Sequence, residues 1–253
     1  MKPAPRRLLQ GPVQHRHPYR PVLRLVLAVS LDGRLAPPEG GAAHLGGSGD
    51  RRALEESLVW ADGALLGAET LRLHRSTCLI RDPDLLESRR HAGRSLQPIA
   101  IAVSRSCRLA QDMVFFRQPL ERWLLQIGPS LPSPGPPAPA GFNRIESHPD
   151  WSRGLNHLAA MGLEKLAVLG GARLASALLR EDLVDELQLT VCPLLLGGGH
   201  SWLPQEVTVA SAQQGGWTLV DHRCLGGDEL LLHYGRTSGR TLSRTDGPGA
   251  PGA

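Results

Sequence analysis

A chain of 253 residues, 41% hydrophobic but only 4% aromatic, can bury a core of Leu, Val and Ala without disulfides or a structural metal. The net charge is +4, but residues 1–20 hold +5 and residues 236–253 hold +2, which leaves −3 on the region between and argues against a basic nucleic-acid-binding face on the folded domain. With no run of about 18 apolar residues and no apolar stretch among the first twenty, neither a membrane span nor a secretory signal is expected, and the expected location is cytoplasmic.

Residues 1–20, rich in Pro, Arg and His, are expected to form a flexible basic arm. Val22 to Ser30 (VLRLVLAVS) is apolar enough for a strand buried on both faces. Asp50 to Trp60 predicts a helix and Ala64 to Gly67 a short strand. Pro98 to Ser104 and Arg122 to Ile127 predict two more strands. The prolines of Pro129 to Gly141 forbid helix and sheet interior and predict an exposed loop. Asp150 to Met161 predicts a helix with an Asp near its start. Lys165 to Leu169 reads as a buried strand, Ala172 to Arg180 as a helix, and Glu186 to Leu196 as a long strand ending in three glycines. Trp217 to Leu225 and Glu229 to Tyr234 read as a hairpin around Gly226-Gly227. Residues 236–253, rich in Gly, Ser, Thr and Pro, read as a disordered tail. The domain is therefore expected at 21–235. Its fold class is α/β, with a mostly parallel mixed central sheet, helices on both faces and an antiparallel edge.

Four segments have the composition of a site. Leu169-Gly170-Gly171-Ala172-Arg173-Leu174 is a strand–Gly–Gly–helix step. Glycines there let backbone N–H groups approach a phosphate at a helix N-terminus, although a tight turn needs the same residues, and no GxGxxG fingerprint exists in the chain. Ser30-Leu31-Asp32-Gly33 follows the first strand, where α/β sheets bind ligands, although Asp-Gly is also an ordinary turn. Gly67-Ala68-Glu69-Thr70 leads to Arg72, His74, Arg75 and Arg81, either a phosphate-holding group or a solvated basic loop. Pro193-Leu194-Leu195-Leu196-Gly197-Gly198-Gly199-His200 either lines a pocket or ends a strand. The ten histidines show no HExxH and no ligand cluster, so no metal is expected.

In their order and spacing these segments resemble the reductase domain of the bifunctional riboflavin-biosynthesis deaminase–reductase, of the dihydrofolate-reductase-like class. The resemblance spans Val22 to Tyr234, and Leu183-Val184-Asp185-Glu186-Leu187 followed by Pro193 to Gly199 is its most specific stretch. No HxE and PCxxC deaminase pattern is present, so the resemblance is to a stand-alone reductase. It implies NADPH as hydride donor, 5-amino-6-(5-phosphoribosylamino)uracil as substrate, reduction of the ribose to ribityl, and a homodimer. Implied cofactor contacts are Val29, His44, Thr70, Ser104, Arg105, Gly170 and the run from Gly171 through Ala172, Arg173 and Leu174 to Ala177. Implied substrate contacts are Ser30, Asp32 and Arg81, with His74, Arg75 and Leu169 at neighbouring positions. Asp32 is the nearest candidate for a general acid, with water as the alternative.

The chain departs from the family on the substrate side. His74-Arg75-Ser76 stands where the family has Asp-Asp-Pro, Leu169 where it has Glu, and Leu58 where it has Arg. Two alternatives therefore stay open. One is a reductase of the same family acting on a different small substrate; the other is a non-catalytic member that binds a nucleotide or a partner.

Overall fold

The structure is a computed structural model that describes residues 19–41, 45–105, 108–128, 140–203 and 216–236. One sheet of nine strands runs through it in the order β5-β4-β3-β2-β6-β1-β7-β9-β8. The strands are β1 (Val22–Ser30), β2 (Gly63–Gly67), β3 (Ile99–Val103), β4 (Arg122–Ile127), β5 (Arg144–His148), β6 (Lys165–Val168), β7 (Glu186–Cys192), β8 (Trp217–Gly226) and β9 (Glu229–Arg236). The first seven are mutually parallel, and the β8–β9 hairpin adds antiparallel to β7. The mixed sheet and its antiparallel edge match the expectation, and β6 and β1 occupy its middle. Among the described residues five α-helices cover it: α1 (Ser48–Trp60), α2 (Ala68–His74), α3 (Pro83–His91), α4 (Trp151–Ala160) and α5 (Ala172–Arg180).

Leucine does the packing, as the scarcity of aromatics requires. Leu23, Leu25, Leu27 and Val29 of β1 join Leu65, Leu166 and Val168 on one face, beneath Leu155 and Leu158 of α4 and Leu174 and Leu178 of α5. The opposite face carries two smaller clusters. In one, Leu71 of α2 packs with Leu66, Ala102 and Leu124; in the other, Leu58 of α1 packs with Ala64 and Ile80. All three phenylalanines, Phe115, Phe116 and Phe142, pack together beside β4, with edge-on ring contacts of 5.2 and 5.5 Å. Arg24 interrupts the apolar run of β1 without exposing charge, because its guanidinium lies 3.9 Å over the Trp60 ring and bonds Glu186 at 2.6 Å.

Several boundaries move. β7 stops at Cys192 rather than Leu196, because the chain beyond it turns to bond the loop after β1 instead of a strand. The segment after β2 is the helix α2, not a loop, and packs Ala68 and Leu71 inward. α3 was not foreseen, although Asp82-Pro83 is a start signal: the Asp82 carboxylate accepts from the Asp84 and Leu85 N–H groups, and Pro83 opens the helix. β5 was missed because RIESH is polar on both faces and sits at the sheet edge. Arg20 and Arg236, expected in the arm and tail, belong to the fold: Arg20 grips Asp185 at 2.7 and 2.9 Å, and Arg236 bonds the Val184 carbonyl and Asp182. The rest of both expected tails (residues 1–18 and 237–253) and most of the proline-rich loop (129–139) lie outside the described residues.

Candidate active site

Because β1, β2, β3, β6 and β7 run parallel, their carboxyl ends share one edge of the sheet, and the segments singled out above leave from it. β1 pairs with β6 only as far as Leu25–Val168, then continues to Ser30, so its last residues form a wall beyond the end of β6. On the other side of β6 stands β2. Strand order thus opens a crevice above β6, flanked by β1 and β2, at a point where sequence neighbours are not sheet neighbours.

The floor of the crevice is the Gly170-Gly171 step, whose peptide bond is cis. Gly170 has φ +82°, and a Cβ there would meet Leu27 Cδ2 at 3.0 Å, so both backbone and space call for glycine. A Cβ on Gly171 would stand 2.9 Å from Thr70 Oγ1, so Gly171 and Thr70 share one small volume. The Gly67 N–H donates to the Gly170 carbonyl at 3.0 Å and ties the β2 and β6 turns together. Gly171 is also the N-cap of α5 and provides no side-chain cap, so the first-turn N–H groups and the positive end of α5 face this volume uncapped. Arg173 is exposed at that turn and pairs with Glu69 at 3.2 Å. Ser104 and Arg105 continue β3 beside Gly67, Ser104 buried and Arg105 exposed. Val29 packs in the core below the wall. Of the expected cofactor positions, His44 lies outside the described residues.

Asp32 sits at the end of β1 and is occupied by its own chain. Its carboxylate accepts from the Ser30 hydroxyl at 2.6 Å and from the Leu196 and Gly197 N–H groups at 3.1 and 2.7 Å, and it lies 3.5 Å from Arg34 Nε. The Ser30 hydroxyl, with the Leu196 and Gly197 N–H groups, holds it well below the usual carboxylate range. Together with the Leu31 N–H to Leu194 carbonyl bond at 2.8 Å, these contacts fasten the glycine-rich segment after β7 to the loop after β1.

The remaining substrate expectations are scattered. α2 carries His74, with Arg75 just beyond its end, about 10 Å along its axis away from Gly67. Arg75 pairs there with Asp112 at 2.5 Å. The Arg81 side chain is exposed, while its N–H donates to buried Glu55 at 2.8 Å. Leu169 packs between the two clusters under β2, and Leu58 is fully buried. Sequence reading missed Asp50 in the first turn of α1. Burial pushes this carboxyl up; a hydrogen bond with Thr190 opposes the rise in part, and neighbouring Glu229 adds to it. Glu229 in turn accepts from the Gly47 and Asp50 N–H groups and stands in for the side-chain cap that α1 lacks. The only local signal for this arrangement was Asp50 at a helix start, since its partners arrive from β7 and β9.

Comparison with known proteins adds four findings. The chain is 24% identical over 190 residues to a 2,5-diamino-6-ribosylamino-4(3H)-pyrimidinone 5′-phosphate reductase of Archaeoglobus fulgidus, covering 72% of this chain and 84% of that one. It is 28% identical over 189 residues to the reductase of the same name from Methanothermobacter thermautotrophicus, covering 71% and 81%. Its fold superposes on a pyrimidine reductase-like protein of Corynebacterium diphtheriae with a TM-score of 0.68 at 19% identity, over 86% of this chain and 92% of that one. The sequence profile of one family matches residues 21–229, a range that takes in the crevice, the Asp32 loop and all strands up to the start of β9, and the chain therefore belongs to the family described as the RibD C-terminal domain.

Proposed function

We propose that the chain is an NADPH-dependent reductase of a ribosylaminopyrimidine 5′-phosphate in riboflavin biosynthesis. The observation that carries this reading is the crevice above β6. An uncapped helix N-terminus there meets a glycine whose missing side chain leaves room beside Thr70. Such a cradle fits a dinucleotide phosphate, with Gly171, Ala172, Arg173 and Leu174 of α5 holding it and Thr70, Ser104 and Arg105 beside it. The bound nicotinamide would supply a hydride. Reduction of the ring-opened sugar imine adds that hydride to the ribose C1′ and a proton to the attached nitrogen.

The chain's residues divide the remaining work by charge. Asp32, held ionised, is proposed to position Ser30 and the glycine-rich segment against the substrate rather than to donate a proton. Water, the alternative to Asp32, is then proposed as the proton source. The two archaeal relatives are named for the diaminopyrimidinone phosphate and the family resemblance implies the aminouracil; a single exocyclic group distinguishes the two. NADPH oxidation by the purified chain with each compound tests the reading. Turnover on either supports it, NADPH binding without turnover moves the assignment to another small substrate, and absence of NADPH binding overturns it. A homodimer in the cytoplasm remains part of the proposal, checked by sedimentation; among the described residues no helix is long and apolar enough to cross a membrane.

A further inference from the structure

The outermost parallel strand carries a polar cluster to which the reductase reading gives no role. Glu146 and His148 lie two residues apart on β5 and so share a face, the one that α4 covers. α4 brings His157 onto them. Its Nε2 stands 3.1 Å from Glu146 Oε2, His148 Nε2 stands 3.9 Å from the same oxygen, and the two imidazole centroids are 4.9 Å apart. Gly154, one turn earlier on α4, makes room: a Cβ there would sit 2.7 Å from Ile127 Cδ1 and 3.6 Å from His148 Cδ2. Three donor atoms, one from each residue, lie within 4.8 Å of one another.

Both Nε2 atoms are closed off from solvent, and among the described residues neither makes a hydrogen bond. Leaving a buried polar atom unsatisfied is costly, and two of them converging on one carboxylate oxygen point to a shared partner. Glu146 is prepared for one, since its other oxygen is bound by Arg144 at 3.3 Å and Oε2 is left facing the histidines. We propose that Glu146, His148 and His157 form a site for a divalent transition cation of the Zn²⁺ type, with a fourth position open to water. Two imidazoles and one carboxylate are the donor set of such ions rather than of Mg²⁺ or Ca²⁺, which take oxygen ligands. At bond lengths of about 2.0–2.1 Å, tetrahedral ligand atoms stand about 3.3 Å apart. The His157–Glu146 pair is already near that spacing, and side-chain rotation closes the remainder.

The site is separate from the crevice. β5 lies four strands from β6, about 19 Å at a spacing of about 4.8 Å per strand. A bound ion would bridge an edge strand, paired among the described residues only with β4, to the helix that covers it, and its role is therefore stabilisation rather than chemistry on the substrate. This inference does not depend on the reductase reading.

Metal-stripped full-length protein titrated with Zn²⁺ by calorimetry, and with Co²⁺ by visible absorption, tests it. The expected result is one ion per chain bound in the micromolar range or tighter, Co²⁺ bands of a low-coordinate nitrogen–oxygen site, and a Tm that rises with Zn²⁺. His157→Ala and Glu146→Gln should each weaken binding more than about tenfold and remove the Tm rise. Should either variant lose its native circular dichroism, His148→Gln gives the same comparison with a smaller change of volume. A folded wild type that binds no Zn²⁺ in the micromolar range, or a folded His157→Ala that binds it as tightly as wild type, overturns the site.

Discussion

The amino edge of the central sheet and the β6 crevice at its carboxyl edge treat their polar groups in opposite ways. At the amino edge, charged side chains are engaged with backbone. Asp185, 2% exposed, accepts from the Leu23 N–H and holds Arg20. Asp62 accepts from the Glu164 and Lys165 N–H groups at 2.9 and 2.8 Å, joining the starts of β2 and β6, and pairs with Arg94. Arg89 of α3 is also 2% exposed and donates to the carbonyls of Leu58, Val59 and Ala61, closing the C-terminal end of α1. Its guanidinium stays charged even though burial pulls its pKa down to about 10. At the carboxyl edge the β6 crevice shows the reverse: glycines, an uncapped α5 and an exposed Arg173. Where the fold must only be stable, its end groups are satisfied internally; where a ligand is proposed to bind, donors are left for it.

On this contrast, breaking the amino edge is expected to change stability and breaking the crevice to change affinity. The largest effect is expected from Arg89→Met, which leaves the carbonyls of α1 and Ser95 without their donor. It should lower the unfolding free energy by about 3–4 kcal/mol in urea titrations while NADPH affinity of the folded fraction stays unchanged. Gly171→Asp places a side chain against Thr70 and a negative charge where phosphate is proposed to sit. Fluorescence titration should show NADPH binding weakened about 100-fold, roughly 2.7 kcal/mol, with circular dichroism unchanged. Equal affinity in a folded variant would remove the phosphate cradle.

The next effect is acid sensitivity, which separates carboxyls held down by hydrogen bonds from one raised by burial. Asp32 is held down by Ser30 and the loop N–H groups, and Glu55, despite burial, by the N–H groups of Asp82 and Arg81. A carboxyl whose folded value lies below its unfolded one, about 3.9 for Asp and 4.3 for Glu, contributes stability that is complete above that range and lost as pH falls through the folded value. Urea midpoints should therefore stay level in this respect from pH 7 to about 5 and fall below about pH 4, with a shallower fall in Asp32→Asn. Asp50 runs the other way. Its raised value makes the ionised form a cost to the fold at neutral pH that lessens on acidification, so Asp50→Asn should gain stability. The smallest effect belongs to Arg173→Ala. Its exposed charge should change NADPH affinity only about threefold, and less at high salt, in the same titration.

Local pattern alone located most of the framework. β1, β4, β6 and α5 are continuous apolar or amphipathic runs bounded by Gly, Pro or Asp, and the Gly170-Gly171 step announces itself because no other residue takes that path beside Leu27. Short polar elements did not show. β5 is a strand because β4 pairs with it, and α2 is a helix because Leu71 and Ala68 find a cluster to enter. The motif LVDEL read as a mark of family, yet its Asp185 and Glu186 bind Arg20, Arg24 and His233 and act on assembly.

Side-chain roles were the least legible part. Asp32 looked like a free acid in an Asp-Gly turn until residues 196 and 197, more than 160 positions away, supplied its donors. His148 and His157 showed no metal spacing because β5 and α4 are brought together only by packing. A sequence records which groups are present and the period of their burial, and these suffice for elements whose apolar face is long. Which donor meets which acceptor depends on strand order and helix placement, and those follow from burial of the whole core rather than from any one segment.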